Sequence, residues 1–366
     1  MISVFTLTAM FFEGIRFPRN FLKLREVRLV IFLYFIMVAG IPFAVHKRVA
    51  FDFIFTIFPR TLLYFFILII LTQSVKRLNT IAWVAVISIL FSGLFYLQDT
   101  LFGMSLGSRI SASEMYDPND IAMIFTTYLP LSLYFLFSEG RFRRKIISII
   151  TALSLVIGIM MSGSRGGIVA LTFIIIVMLF LRTSRWKGGL KIATLVILSG
   201  VFLYYFPVTA GKRFRDIKND YNLTDEGGRL HIWKQNVGIL YRNPISGVGA
   251  NCSTIALGFH RATLDGLQKW QVTHSSLIQV AVETGIPGFV VFLILNVGAI
   301  RNLRKIRKGQ DNALSLLSFF LEICFYGFWV GGLFLSHGYS INLYFLLAMT
   351  ATIGSLSENS ELGYGD

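Results

Sequence analysis

Long apolar runs, separated by short polar segments, make up most of this sequence. A helix needs about 20 apolar residues to cross the hydrocarbon core of a membrane, and the longest runs come close to that length. The ten candidate spans are residues 29–45, 51–72, 80–98, 118–138, 146–161, 166–181, 190–207, 275–300, 313–335 and 338–356. The pattern predicts an all-α, polytopic helical bundle of about ten transmembrane helices.

The composition agrees with an integral membrane protein. Only 14% of the 366 residues are charged, whereas about a quarter of the residues of a soluble protein carry a charge. In a soluble protein the net charge of +15 would suggest nucleic acid as a partner, but here we expect no nucleic acid. Cys252 falls in a predicted loop and Cys324 in a predicted span, so we expect both thiols to be free.

Basic residues indicate how the chain is oriented in the membrane. The loops that alternate along the chain fall into two sets, and one set carries 20 Lys and Arg residues, at positions 16–28, 76–77, 141–145, 182–191 and 301–308. The other short loops carry only four, Lys47, Arg48, Arg109 and Arg165. Because Lys and Arg accumulate in cytoplasmic loops, the first set is predicted to be cytoplasmic.

This orientation leaves one long loop, residues 208–273, on the outer face. Residues 229–241 have the spacing of an amphipathic helix, which we expect to rest on the outer membrane surface as a lid. Its apolar face consists of Leu230, Trp233, Val237, Leu240 and Tyr241. The chain thus divides into N-terminal transmembrane helices (1–207), the loop, and C-terminal transmembrane helices with a cytoplasmic tail (274–366), which together form one functional unit.

The glycine-rich stretch 162–167 joins two apolar runs of about 16 residues, or about 24 Å of helix against about 30 Å of hydrocarbon. Its turn should therefore be recessed below the outer surface. An arginine at the centre of a span costs at least about 2.5 kcal/mol, so Arg165 calls for an anionic partner. Gly166 and Gly167 would let a ligand approach the backbone closely. The alternative is that Arg165 reaches the interface or caps a helix end.

Three more polar side chains are predicted on the outer face. Arg229 begins the loop helix, where first-turn amides favour an anion; the alternative is an exposed loop arginine. His274 lies where the loop re-enters the membrane and is able to accept a proton from a hydroxyl, unless it is only polar surface. His337, in a similar outer turn, competes with His274 for that role.

Other polar residues have structural explanations beside functional ones. Asp117 and Asp120 precede a span and either start its helix or contribute to acceptor binding. Arg60 and Glu283 have matching predicted depths in their spans, so we expect an intramembrane ion pair between them. Glu322 is a further buried acid for which the sequence suggests no partner.

The sequence lacks the motifs that mark several kinds of chemistry. The chain has no Walker A sequence, no dinucleotide fingerprint, no HExxH and no pair of aspartates one residue apart. We therefore expect neither a cofactor nor a metal. The predicted site residues face away from the cytoplasm, so the donor of any transferred group must already be activated on the outer side.

The order of these motifs resembles the O-antigen ligase superfamily of bacterial membrane glycan transferases, which includes O-antigen ligases and polymerases. The resemblance covers roughly residues 117–292. It is carried by residues 162–167, by Gly228 and Arg229 with Trp233, by residues 243–249, and by His274 and Ser275 followed by residues 283–288.

This resemblance implies an enzyme of the bacterial inner membrane with its active site facing the periplasm. The donor would be a glycan on undecaprenyl diphosphate, and the acceptor a hydroxyl of a lipid A core sugar, as in lipopolysaccharide biosynthesis. Transfer would be inverting and independent of metal. Arg165 and Arg229, with Gly166 and Gly167, would bind the diphosphate, and His274 would assist the acceptor hydroxyl as a base or by positioning it.

Three alternatives stay open at the sequence level. An O-antigen or exopolysaccharide polymerase would use the same donor with a lipid-linked acceptor, and a related enzyme would transfer the glycan to protein. A transporter or flippase for an anionic lipid would also have basic outer residues and intramembrane charges. For Asp117, Asp120, Trp233 and His337, an acceptor-side role and a structural role are both consistent with the resemblance.

Overall fold

The computed structural model describes residues 21–102, 117–138, 140–180, 196, 200, 228–265, 270–309 and 313–361. Apart from short turns, these residues are helical, and none of them forms a β-strand. The helices are α1 (Arg25–Gly40), α2 (Lys47–Leu71), α3 (Val75–Phe102), α4 (Pro118–Phe137), α5 (Phe142–Met161), α6 (Arg165–Phe180), α7 (Arg229–Arg242), α8 (Ser253–Asp265), α9 (Ser276–Arg307), α10 (Ala313–Gly332) and α11 (Ile341–Glu361).

Seven of the described helices are long and apolar enough to cross a membrane: α1 to α5, α9 and α10. The all-α class and the multi-pass architecture are thereby confirmed. The predicted span 166–181 corresponds to α6, an apolar helix of 16 residues, and 338–356 overlaps α11. The predicted span 190–207 lies outside the described residues except for positions 196 and 200.

The chain folds into two compact units. Unit 1 comprises Met1–Leu78, Tyr221–Asn302 and Ser336–Asp366, and unit 2 comprises Asn79–Asp220 and Leu303–Leu335. In unit 2, α4 packs against α5, α6 and α10. Small residues allow close approach of these helices, as is common in membranes: a Cβ added to Gly327 would lie 2.7 Å from the carbonyl oxygen of Thr126.

The end of α9 also belongs to unit 2 and corrects one expectation. The helix continues through the predicted basic loop to Arg307, seven residues beyond the predicted span. There the Nε atoms of Arg304 and Arg307 lie 2.7 and 2.8 Å from the two carboxylate oxygens of Glu322, whose side chain is fully buried on α10. Glu322 therefore has two cationic partners, both at the end of the neighbouring helix.

In unit 1, α2 packs along α11. The turn Phe53–Ile57 of α2 is π-helical and directly precedes Phe58 and Pro59. Proline has no backbone N–H and its ring crowds the carbonyl four residues earlier, so a widened turn accommodates it.

A second core of unit 1 surrounds the two loop helices. It joins the start of α2, both α7 and α8, and the N-terminal part of α9 through a cluster of buried side chains: Ala44, Ala50, Ile232, Ile239, Val248, Cys252, Ala256, Leu257 and Val282. The short loop before α2 and the described part of the long loop thus pack together.

Candidate functional site

Helix α7 carries Arg229 as its first residue, directly after the extended residue Gly228. The predicted helix 229–241 is therefore confirmed in position. Its apolar face divides into two groups: Leu230, Val237 and Tyr241 are exposed, whereas Trp233 and Leu240 pack against the core of unit 1. The half-buried Arg229 lies one turn before Trp233 and so on the same face of the helix.

Trp233 connects this helix to the segment that carries His274. The indole N–H of Trp233 donates to the backbone carbonyl oxygens of Thr273 and His274, at 3.1 and 3.3 Å. Since Arg229 and Trp233 share a face, the arginine end of α7 and His274 lie in the same region of unit 1.

His274 itself has an unusual backbone conformation. Its φ is 51°, which is uncommon for a residue with a side chain. Helix α9 begins two residues later, and the hydroxyl of Ser276 accepts a hydrogen bond from the backbone N–H of His337 at 2.9 Å. Both candidate histidines are therefore near the first turn of α9. His274 precedes it in the chain, and the backbone N–H of His337 is bonded to it.

Arg261, on α8, is a buried residue that the sequence analysis missed. Its side chain donates from Nε to Oε1 of Gln235 at 2.7 Å and from Nη1 to Oε1 of Gln271 at 2.5 Å. Gln271 precedes His274 by three residues. A signal was present in the sequence: Arg261 follows Leu257 by four residues, a helical spacing that places it on the same face as an apolar side chain.

The turn after α7 explains the glycines at 247 and 285. Helix α9 is interrupted at Gly285, where φ is 68° and ψ is −176°. Around this break, the amides of Val248 and Gly249 donate to the carbonyls of Val282 and Glu283, and the amide of Ile286 donates to Pro244. A Cβ at Gly247 would lie 2.5 Å from backbone atoms of residues 283 and 285.

Glu283 lies at this break and is buried. Its Oε1 accepts a hydrogen bond from the hydroxyl of Ser253 at 2.6 Å, with the Ser253 amide at 3.4 Å. Arg60 is exposed on α2. This differs from the predicted Arg60–Glu283 ion pair, because the carboxylate is used to hold the first residue of α8. Ser275, directly before α9, is buried as well.

The stretch 162–167 forms the turn between α5 and α6 in unit 2. Gly163 has a φ of 60°, and the hydroxyl of Ser164 accepts from the amide of Gly167 at 3.2 Å, which caps α6. Arg165 is the half-buried first residue of α6. A Cβ on Gly167 would lie 2.5 Å from that of Ala122 on α4, so helix packing alone requires this glycine.

Asp117 and Asp120 form a capping box at the start of α4, also in unit 2. Oδ1 of Asp117 accepts from the amides of Asn119 and Asp120, and Oδ2 of Asp120 accepts from the amide of Asp117 at 3.2 Å. These contacts use both carboxylates for the helix start, the structural one of the two roles that the sequence allows.

The thiols are free, as predicted. Cys252 lies beside the turn 247–249, and its thiol donates to the carbonyl of His46 at 3.6 Å. Burial raises the pKa of Cys252 to about 11, so this thiol is inert at neutral pH. Among the described residues, no three His, Cys, Asp or Glu side chains come together as a metal site would require.

These observations define a multi-pass helical membrane protein whose loop helices pack against the start of a broken membrane helix. Residues 149–293 match the family described as O-Antigen ligase. The match confirms the resemblance to the O-antigen ligase superfamily and supports a glycosyltransferase-like membrane enzyme. It includes Arg165, Arg229 and His274. No curated protein matches this chain closely enough to count as a relative.

Proposed function

We propose that this protein is an O-antigen ligase-like glycosyltransferase of the bacterial inner membrane. It moves a glycan from undecaprenyl diphosphate to a hydroxyl of a lipid A core sugar at the periplasmic face. The observation that carries the proposal lies within the family match: α7 begins with Arg229 and, one turn later, Trp233 bonds to the carbonyl of His274. A cation and a base are thereby brought into one region of unit 1.

The chemistry follows from these two side chains. The acceptor oxygen forms a bond to the anomeric carbon of the glycan, while the bond from that carbon to the diphosphate oxygen breaks. A single displacement of this kind inverts the anomeric centre. The proton of the acceptor hydroxyl passes to the imidazole of His274, and the leaving diphosphate keeps the electron pair.

Arginine suits the leaving group because its guanidinium stays charged and donates in a planar fork to phosphate oxygens. Arg229 also adds to the positive end of α7, where first-turn amides favour an anion. Arg165 enters the proposal from the sequence resemblance and from its matching position as the first residue of α6. No step requires a metal or a cofactor.

The proposal is tested with purified protein, a glycan-loaded undecaprenyl diphosphate and two acceptors, lipid A core and a second lipid-linked glycan. Transfer to lipid A core with release of undecaprenyl diphosphate is the expected result. Transfer only to the second lipid-linked glycan would replace the ligase by the polymerase alternative. Movement of the intact donor between membrane leaflets without any transfer would replace both by the flippase alternative.

Variants test the residues separately. Arg229→Ala and Arg165→Ala should each lower kcat by about 10²- to 10³-fold, the usual effect of removing one charge stabiliser from a transition state. Arg242→Ala is the matched control for Arg229, because Arg242 is an exposed arginine at the opposite end of the same helix. Equal turnover of Arg229→Ala and Arg242→Ala would contradict the proposed role of Arg229.

A further inference from the structure

Two loop helices meet on the segment that leads to His274. From α7, Trp233 donates to the carbonyls of Thr273 and His274. From α8, Arg261 donates to the side-chain oxygen of Gln271. The two helices are also joined to each other, because Arg261 donates to Gln235 of α7.

The burial of Arg261 shows that this contact is not incidental. Its exposure is 5%, and that of Gln235 is 8%. A guanidinium is withdrawn from water at high cost unless acceptors replace the lost hydration. Two amide oxygens, one on α7 and one in the segment, serve as acceptors here. One side chain thereby joins α7, α8 and the segment before His274.

The conformation of His274 requires such fixing. A histidine with φ near 51° lies in the left-handed region, which is unfavourable for residues other than glycine. The two carbonyls that receive the Trp233 N–H are those of His274 itself and of the residue before it, so the hydrogen bonds act on the strained peptide units directly. A backbone held in this region sets the direction of the imidazole at the start of α9.

We propose that Trp233, Gln235 and Arg261 form a positioning clamp that holds the segment 271–274 and thereby orients the His274 imidazole. The clamp residues act through His274 and do not react themselves. This inference rests on the proposed function for its catalytic consequence. Its structural content, a segment held by α7 and α8, stands separately.

The first measurement is hydrogen exchange of residues 270–276 in the full-length protein in lipid nanodiscs. Trp233→Phe keeps the aromatic surface and removes the donor. Exchange should become about fivefold faster, the factor that one ordinary hydrogen bond represents. Arg261→Met should have an equal or larger effect, and Arg261→Lys a smaller one, because lysine still donates to one acceptor. Trp270→Phe is the matched control, a tryptophan of the same segment whose ring packs edge-on against Phe259.

The second measurement is turnover of the lipid-linked donor. With Trp233→Phe, kcat should fall about tenfold while the KM for the donor stays within twofold, because the base is misdirected and the donor site is intact. Trp270→Phe should keep both constants. Gln271→Leu removes the acceptor that the segment offers to Arg261 and should lower kcat in the same direction.

Unchanged exchange in both Trp233→Phe and Arg261→Met would overturn the clamp. Faster exchange with undiminished kcat, while His274→Ala abolishes turnover, would overturn its positioning role. If the wild-type protein transfers no glycan from any lipid-linked donor, the proposed function fails, and the exchange data still decide whether the clamp exists.

Discussion

The Glu283 carboxylate accepts hydrogen bonds from the hydroxyl of Ser253, the first residue of α8. An acceptor here pairs the backbone N–H at the start of α8, which has no partner within the helix itself. The same residue precedes the break at Gly285, where the backbone of α9 bonds to the turn 244–249. One buried acid therefore ties the loop helix α8 to the broken membrane helix.

Replacing Glu283 with alanine should lower the free energy of unfolding by about 1 to 3 kcal/mol, since leaving a buried hydrogen-bonding group without a partner costs about 1–3 kcal/mol. Glu283→Gln should cost less, because its amide oxygen still accepts from Ser253. Denaturant titration in micelles, followed by circular dichroism, measures both. Arg60→Leu is the control and should leave stability unchanged. Rescue of a damaged Arg60→Leu protein by Glu283→Gln would instead support the ion pair that the sequence suggested.

At this scale the sequence predicted the location of Glu283 and missed its partner. The sequence predicted an intramembrane acid at this position, and Glu283 is buried. Ser253 is 30 positions away, and the contact exists only because the turn after α7 crosses the break in α9. No periodic pattern encodes that crossing. Arg261 differs in this respect, because its spacing of four from Leu257 is a local pattern that the sequence does contain.

At the scale of the helices, Gly166 and Gly167 at the start of α6 have different surroundings, although the sequence predicted the same role for both. Gly167 faces Ala122 on α4, and an added Cβ would overlap with it. Gly166 faces the ring of Phe334, and an added Cβ would lie 3.6 Å away, an ordinary contact. Helix packing thus requires Gly167, whereas it does not require Gly166.

Gly167→Ala should lower the free energy of unfolding by about 1 to 3 kcal/mol, the usual cost of overpacking. Gly166→Ala should leave it unchanged or raise it by less than about 1 kcal/mol. Thermal unfolding in detergent measures the difference. Gly166→Ala is then the informative variant for donor binding: loss of turnover in a stable protein would support close approach of the diphosphate to this backbone, and full turnover would contradict it.

The ion cluster at the end of α9 gives a second comparison between elements. The side chain of Arg307 is 9% exposed and that of Arg304 is 52% exposed, and both face the fully buried Glu322. An exposed ion pair contributes about 0–1 kcal/mol, whereas breaking a buried pair costs about 3–5 kcal/mol.

Arg307→Ala should therefore destabilise the protein by about 2 to 3 kcal/mol, somewhat below the full cost because Arg304 still faces the acid. Arg304→Ala should cost less than about 1 kcal/mol. The same thermal assay compares them at equal detergent and salt. Equal losses in the two variants would show that burial does not decide the strength of this pair.

Across the whole molecule, the apolar pattern predicted the helices more completely than the contacts between them. Seven membrane-capable helices and the position of α7 agree with the sequence. The way the loop between α1 and α2 packs with α7 and α8 was not predictable, because it depends on backbone bonds such as that from the amide of Val45 to the carbonyl of Val248. These bonds join segments about 200 residues apart, beyond the reach of any local pattern.

The predicted orientation in the membrane is testable by labelling single introduced cysteines with a membrane-impermeant maleimide. Tyr241 is 80% exposed on α7 and is predicted to be periplasmic, and Lys308, at the end of α9, is exposed and predicted to be cytoplasmic. In spheroplasts, Tyr241→Cys should label at once and Lys308→Cys only after permeabilisation. The native protein serves as the control: Cys252 and Cys324 are both buried. With the pKa of Cys252 raised to about 11, only about one part in a thousand of its thiol is ionised at pH 8. Labelling of Lys308→Cys in intact spheroplasts would invert the orientation and, with it, the side of the membrane on which Arg229 and His274 act.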